Sequence, residues 1–236
     1  MAFLSRFAAS PTDRVQAYEK TFEDVLARLA FMGFGARELA RTWCYFRDVL
    51  IEYPAFNDVR RQAFTRYGLI PGPLPASTGI QGILDSGQHL SMDALAFSGP
   101  DVNQSIVLNP AQCEAPEYGS LFSRAVRIAG VGPVQCIVSG MASIGEDGKS
   151  LFIGDPEAQV DDTLKRAGLL LESCGMGWNN VVSGTAFLHP DHVERLQRKL
   201  PATVLGNVPL AWAVADVCRP ELLFEIELMA FGDSPV

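Results

Sequence analysis

Apolar residues recur every three or four positions through residues 13–31, DRVQAYEKTFEDVLARLAF, placing Val15, Tyr18, Phe22, Val25, Leu26 and Leu29 on one stripe. That spacing predicts an amphipathic helix. Gly33 and Gly35 follow, and glycine readily takes the backbone conformation in which helices close. ARTWCYFRDVL (40–50) reads as a strand and residues 55–67 as a second helix. Pro71, Pro73 and Pro75 then break the chain before two short extended runs, the later one LSMDALAF (90–97).

The pattern then repeats. EAQVDDTLKRAGLLLESC (157–174) is again an amphipathic helix, closed by Gly175 and Gly177. VVSGTAFL (181–188) is a strand, and His189-Pro190-Asp191 opens a helix with Asp191 as its expected N-cap. AWAVADV (211–217) and LLFEIELMAF (222–231) follow as strands. Both parts thus run helix, strand, helix, strand, strand, which predicts an internal duplication of α+β layers. The ends align as MDALAF (92–97) over IELMAF (226–231), setting Asp93 against Glu227 and Ser91 against Glu225. The second half is preceded by an expected hairpin, FSRAVRIAG (122–130) to VQCIVSGMASI (134–144), with no visible counterpart before the first helix. The expected division is a degenerate half at 1–99, a connecting segment at 100–117 and a full half at 118–236. The shortened first half predicts either an incomplete sheet or one completed by a partner chain.

The last strand carries an oddity. Alternate side chains of a strand share a face, so Leu223, Glu225, Glu227 and Met229 lie together, opposite Phe224, Ile226, Leu228 and Ala230. Two carboxyls on one face of an apolar strand can hold a proton at neutral pH, because burial and a like charge both disfavour ionisation.

Composition narrows the chemistry. The 236 residues are 48% hydrophobic and 19% charged, enough for a packed core. A net charge of −8 argues against nucleic-acid and anionic-membrane partners. No apolar run approaches the roughly 20 residues of a membrane span. Cys44, Cys113, Cys136, Cys174 and Cys218 are scattered without a CxxC pair and His89, His189 and His192 do not cluster with them. No metal site is therefore expected, and odd, dispersed cysteines fit a cytoplasmic location. Neither a GxGxxG nor a Walker sequence occurs, so no nucleotide cofactor is expected.

SGMASI (139–144), the helix beginning at Glu157, VVSGTAFL and RPELLFEIELMAF together resemble the Rid (reactive-intermediate deaminase, YjgF-like) superfamily, over residues 121–231. More narrowly, PASTGIQG (75–82), VLNPAQ (107–112), YGSLFSRA (118–125) and ADVCRPELLFEIE (215–227) are similar to the chorismatases. The resemblance implies an α+β fold of two Rid-like (chorismate-mutase-like) layers, the first truncated. It implies cofactor-independent cleavage of the enolpyruvyl ether of chorismate, releasing pyruvate with 3-hydroxybenzoate or a dihydroxy-cyclohexadiene acid. It also implies trimer-like assembly, so a homo-oligomer, trimer or dimer, is an expected partner arrangement. Other readings stay open: a diverged Rid-type enzyme acting on another small carboxylated or imine substrate, or a non-catalytic Rid-fold binding protein.

Carried onto this chain, the resemblance makes Glu225 the acid that protonates the enol ether and Cys218 a position bearing on product choice. Arg124 is the expected bidentate partner for a substrate carboxylate, with Tyr118 as a hydroxyl donor beside it. Thr78, with Ser77, offers hydroxyls in a small, glycine-bounded loop. Gly140 and Ala142 are small enough to leave room for a ring, and Arg219 sits at the turn before Pro220. Glu227 is expected to be structural. Two departures stand out: Ala111 occupies VLNPAQ where an arginine is expected, and no arginine stands near Pro209 and Leu210, where simple imine deaminases would place one.

Overall fold

The computed structural model describes residues 1–9, 13–85 and 87–232. The first half builds a four-stranded sheet from β1 (Ala2–Phe7), β2 (Leu39–Phe46), β3 (Ala76–Gln81) and β4 (Leu90–Ala96), in the order β1-β4-β2-β3. Helices α1 (Arg14–Phe31) and α2 (Val49–Arg66) cover one face of it. The second half contributes β5 (Asn103–Val107), β6 (Ala125–Ala129), β7 (Val134–Ala142), β8 (Val181–Leu188), β9 (Leu210–Val214) and β10 (Phe224–Gly232). Their order is β5-β6-β7-β10-β8-β9, and α3 (Pro156–Ser173) and α4 (Val193–Lys199) cover the outer face.

The local chemistry explains the helices. Asp13 caps α1 by accepting from the Gln16 amide, and Asp155 caps α3 by accepting from Glu157 and Ala158. Gly33 and Gly175 then follow the two helices at φ of +84° and +73°. The stripe of α1 buries Tyr18, Phe22, Val25, Leu26 and Leu29 against the first sheet. In β10, Phe224, Ile226, Leu228 and Ala230 join the core under α3 and α4, as the alternation requires, while the odd-numbered residues face the first half.

The duplication is visible strand by strand. In both halves an antiparallel strand (β4, β10) is flanked by the strand after the long helix (β2, β8), which pairs in parallel with the next (β3, β9). Ser91 lies opposite Tyr45 and Glu225 opposite Phe187; Asp93 lies opposite Trp43 and Glu227 opposite Thr185. The register is therefore the one the aligned sequence ends imply. On the other side, β1 pairs with β4 as β7 pairs with β10.

Several expectations are corrected here. Before the first helix the chain supplies β1, one strand rather than a hairpin; the first sheet stays shorter because, among the described residues, β5 and β6 have no counterparts in it. Residues 100–117 are more than a connection, since β5 adds an edge to the second sheet. Helix α2 begins at Val49 and not near residue 55. Asp48 caps it through the Ile51 amide, and Pro54 sits inside, where its missing N–H forgoes one helical hydrogen bond. Asp191 is not an N-cap: it lies inside a 3-10 turn, Pro190–His192, that His189 caps by accepting from the Asp191 amide at Nδ1, and α4 then starts after His192 without a side-chain cap.

The two halves meet through their inner faces. Ala76, Leu95 and Phe97 of the first pack against Val126, Ile128 and Ile137 of the second. The β3 strand is bridged to the second half at both ends, Ala76 to Ser123 and Ile80 to Val217. No helix among the described residues is long and apolar enough to cross a membrane.

Phe56 anchors the first core, with the rings of Tyr18, Phe22, Phe46 and Tyr53 around it at centroid distances of 4.8–6.1 Å. Replacing Phe56 by Ala is expected to cost about 3–5 kcal/mol, read as a lower midpoint in urea unfolding; a cost under about 1 kcal/mol would contradict this packing.

Candidate active site

Glu225 is 4% exposed, and its carboxyl makes no hydrogen bond among the described residues. Burial first, and then the negative charge of Glu227, raise its pKa from 4.5 to about 8, against the opposing pull of Arg41 and Arg124. The group is therefore a protonated acid near neutral pH.

Its setting is made by strand β7. Ala142 pairs directly with Glu225, and the ladder then bulges: Met141 faces Ile226 and Val138 faces Leu228, leaving Ser139 and Gly140 together opposite Glu227. A Cβ on Gly140 would lie 2.1 Å from Glu225 Oε1. Glycine at 140 is what lets the carboxyl lie across its neighbour strand.

A cavity of about 410 Å³ opens over this carboxyl, within the usual size of small-ligand sites. The second half supplies Tyr118, Phe122, Arg124, Gly140, Ala142, Cys218 and Arg219 to its walls. Helix α2 of the first half supplies Tyr53, Asn57, Asp58 and Arg61. The cavity thus lies between the halves, and seven of the eight candidate residues, all but Thr78, line it.

The cations are held in fixed poses. Arg124, 1% exposed, precedes β6 and donates through Nε and Nη2 to the Cys113 carbonyl at 3.0 and 2.6 Å. Arg219 donates through Nη1 to the Gly148 carbonyl at 2.8 Å. Both guanidiniums lie against the Tyr118 ring, at 5.3 and 4.9 Å from its centroid. Burial holds the Tyr118 phenol well above its ordinary pKa, so it stays a neutral hydroxyl. Arg61 reaches the same rim from α2, 3.4 Å from the Gly119 carbonyl. Burial, then the nearby Glu225, push the Cys218 thiol up to about 12; it is a small neutral wall and not a thiolate.

Thr78 stands apart. Its hydroxyl donates to Glu227 Oε2 at 2.6 Å and accepts from Arg41 Nη2, and Ser77 is bonded to Thr42 and Ser139. These residues form a polar seam between the sheets. Its centre is the ion pair of Arg41 Nη2 with Glu227 Oε2 at 2.6 Å, with Arg41 Nη1 donating to the Val138 carbonyl at 3.0 Å and Trp43 Nε1 reaching Glu227 Oε1 at 3.3 Å. Sequence reasoning passed over Arg41 and the α2 wall. The signal for Arg41 was present, since it shares strand parity with Trp43 and Tyr45 and so points inward. No comparable pattern marked Asn57, Asp58 and Arg61: they fall within the expected helix, but which of its faces meets the second half is set by long-range packing. The Ala111 carbonyl, in the loop where an arginine was expected, accepts from Arg166 of α3. Among the described residues, no group of three or more His, Cys, Asp or Glu side chains is placed to hold a metal ion.

No protein-family model matches the sequence, and no curated protein matches it. Among solved structures, a chorismatase crystal structure aligns with a TM-score of 0.82 at 23% identity, covering 97% of this chain and 75% of that one. Yeast Mmf1 aligns over 56% of this chain and all of its own, at 15% identity and a TM-score of 0.45. The YjgF gene product of E. coli aligns over 54% of this chain and 98% of its own, at 19% identity and a TM-score of 0.42. Over nearly its whole length, the chain shares the fold of a chorismatase, with a second half of six described strands carrying Glu225 and a first half of four closing the cavity.

Proposed function

We propose that the protein cleaves chorismate, releasing pyruvate, with Glu225 as the general acid. The observation that carries this reading is a protonated carboxyl, with a pKa near 8, facing a cavity that also holds Arg61, Arg124 and Arg219. Enol ethers break by protonation at the terminal vinyl carbon, and the positive charge that develops is stabilised by the ether oxygen. Glu225 gives its proton to that carbon. Where water adds to the cationic carbon, it gives up a proton and the hemiketal breaks to pyruvate and the free ring hydroxyl. Without water, the neighbouring ring hydroxyl displaces pyruvate, and the resulting ring ether opens with loss of a ring proton to Glu225 to give the aromatic phenol. Arginines suit the two carboxylates of such a substrate, because the planar fork matches a carboxylate. Tyr118 offers a neutral hydroxyl beside them.

Two outcomes balance. With one water taken up, chorismate gives pyruvate and a dihydroxy-cyclohexadiene carboxylate. With no net water, it gives pyruvate and 3-hydroxybenzoate. Cys218 narrows the cavity beside Glu225 with an apolar neutral group, which favours the route without water. The structural likeness to a chorismatase supports the substrate class.

Incubation of the purified protein with chorismate, followed by pyruvate detection and chromatography of the acid, tests the reading. Pyruvate with 3-hydroxybenzoate is expected; absence of pyruvate at high enzyme concentration would sink it. Glu225→Gln is expected to lower the rate by about a hundred- to ten-thousand-fold while circular dichroism stays unchanged; retained activity would remove Glu225 from the role. Because the acid must be protonated, kcat/KM should hold at lower pH and fall as pH rises through about 8. An alkaline limb several units away would contradict the assignment.

Gly140→Ala tests the placement of the acid. The added methyl displaces the Glu225 carboxyl, which lies 2.1 Å from it, so kcat should drop at least about tenfold through misplacement alone. Unchanged kcat would show that the carboxyl does not act from this position.

A further inference from the structure

Glu227 lies two residues from Glu225 on the same strand face, yet it does not line the cavity. Its two oxygens are occupied from the other half of the molecule: Oε2 by Arg41 and Thr78, both at 2.6 Å, and Oε1 by Trp43 at 3.3 Å. Glu225 has no such partners among the described residues. One face thus carries two carboxyls, one supplied with three donors and the other with none.

We propose that Glu227 is a positioning residue for Glu225: Arg41, Thr78 and Trp43 of the first half hold its carboxylate in place on the shared strand face, where its like charge keeps the proton on Glu225. A like charge nearby disfavours ionisation of a buried carboxyl. The first half, which has Ser91 where the second has Glu225, thereby contributes to the chemistry without carrying an acid of its own.

The other charges around Glu225 do not replace this effect. Arg124, ahead of β6, and Arg219, after β9, are cations and favour its ionised form. Asp58 and Arg61, on α2, face the cavity as an oppositely charged pair of groups. Tyr118 and Cys218 are neutral, with burial as the main cause. Glu227 is the charge next to Glu225 that acts with burial to retain the proton.

The inference rests on Glu225 being the working acid, and its test is chosen to be readable without turnover. The carboxyl carbons of ¹³C-glutamate-labelled protein are titrated by NMR, with the Glu225 signal assigned by its loss in Glu225→Gln. In the parent protein the midpoint should lie near 8. In Glu227→Gln, which keeps an oxygen for Arg41 and Thr78, it should fall by about one pH unit or more. Where the parent turns over chorismate, the same variant should lose about tenfold in kcat at the alkaline end and little at about pH 6, with KM unchanged. A merely structural Glu227 would lower the melting temperature and leave the midpoint in place, and that result overturns the proposal. Should Glu227→Gln fold poorly, Arg41→Met combined with Glu227→Gln removes both charges. The midpoint should then fall by a smaller amount, because the charge of Glu227 outweighs that of Arg41 at Glu225; an unmoved or raised midpoint overturns the proposal equally. A moving midpoint in a protein that never releases pyruvate would reject chorismate as substrate and leave this inference standing.

Discussion

An ion pair, buried at Arg41 and 14% exposed at the Glu227 side chain, joins the two halves, and the site is arranged around it. Arg41 is 1% exposed and meets Glu227 across the gap between sheets. Taking both charges out of water is costly, and the cost is offset only where geometry and further hydrogen bonds are good. Here Thr78, Trp43 and the Val138 carbonyl supply those bonds, although Arg41 Nε is left without a partner. Removing one member of such a pair typically costs about 3–5 kcal/mol, so the relative placement of the halves is strongly specified. That placement is what brings α2 over the second sheet and makes a cavity from two separate surfaces.

The duplication gives the asymmetry its meaning. Both halves carry a bulge at the same place, β1 opposite Asp93 and β7 opposite Glu227. In the second half the bulge brings Gly140 under the Glu225 carboxyl. In the first it brings Arg6, at φ of +60°, whose amide donates to Asp93 at 2.7 Å. One ancestral backbone device thus serves an acid in one copy and closes on itself in the other. With Ser91 at the position of Glu225, the first half keeps the scaffold and lends its inner face, Arg41 and Thr78 above all, to its neighbour.

Much of this was legible in the chain. The helical stripes of α1 and α3, the alternation in β10 and the aligned ends all carried through, because each depends on local spacing that burial then enforces. Glu225 and Glu227 were conspicuous as charges within an apolar strand. What escaped depended on long-range pairing. AFLSRF shows no run of alternation clear enough to mark β1, which is a strand because β4 offers it an edge. Val49 and Leu50 read as the end of the strand 40–50, yet the Asp48 cap starts a helix there. Thr78 belongs to the stretch that matched a family motif and reads as a loop, but it lies in β3, where packing turns its hydroxyl to Glu227 instead of to the cavity. Arg41 could be assigned to the inner face by parity, whereas its partner lies 186 positions away.

The buried acid also ties the folding of the chain to proton uptake. In the unfolded chain Glu225 loses its proton near the ordinary 4.5, and in the folded protein it holds it to about 8. Between those values folding takes up a proton at this position. The stability contributed by the neutral carboxyl is fully present below the unfolded value, declines through the window and is gone above about pH 8. Any anion entering the cavity would hold that proton more firmly still, since a negative charge nearby favours the neutral acid. Ligand binding on the alkaline side of the window is therefore coupled to proton uptake from the buffer, and an anionic ligand steadies both the acid and the fold that buries it.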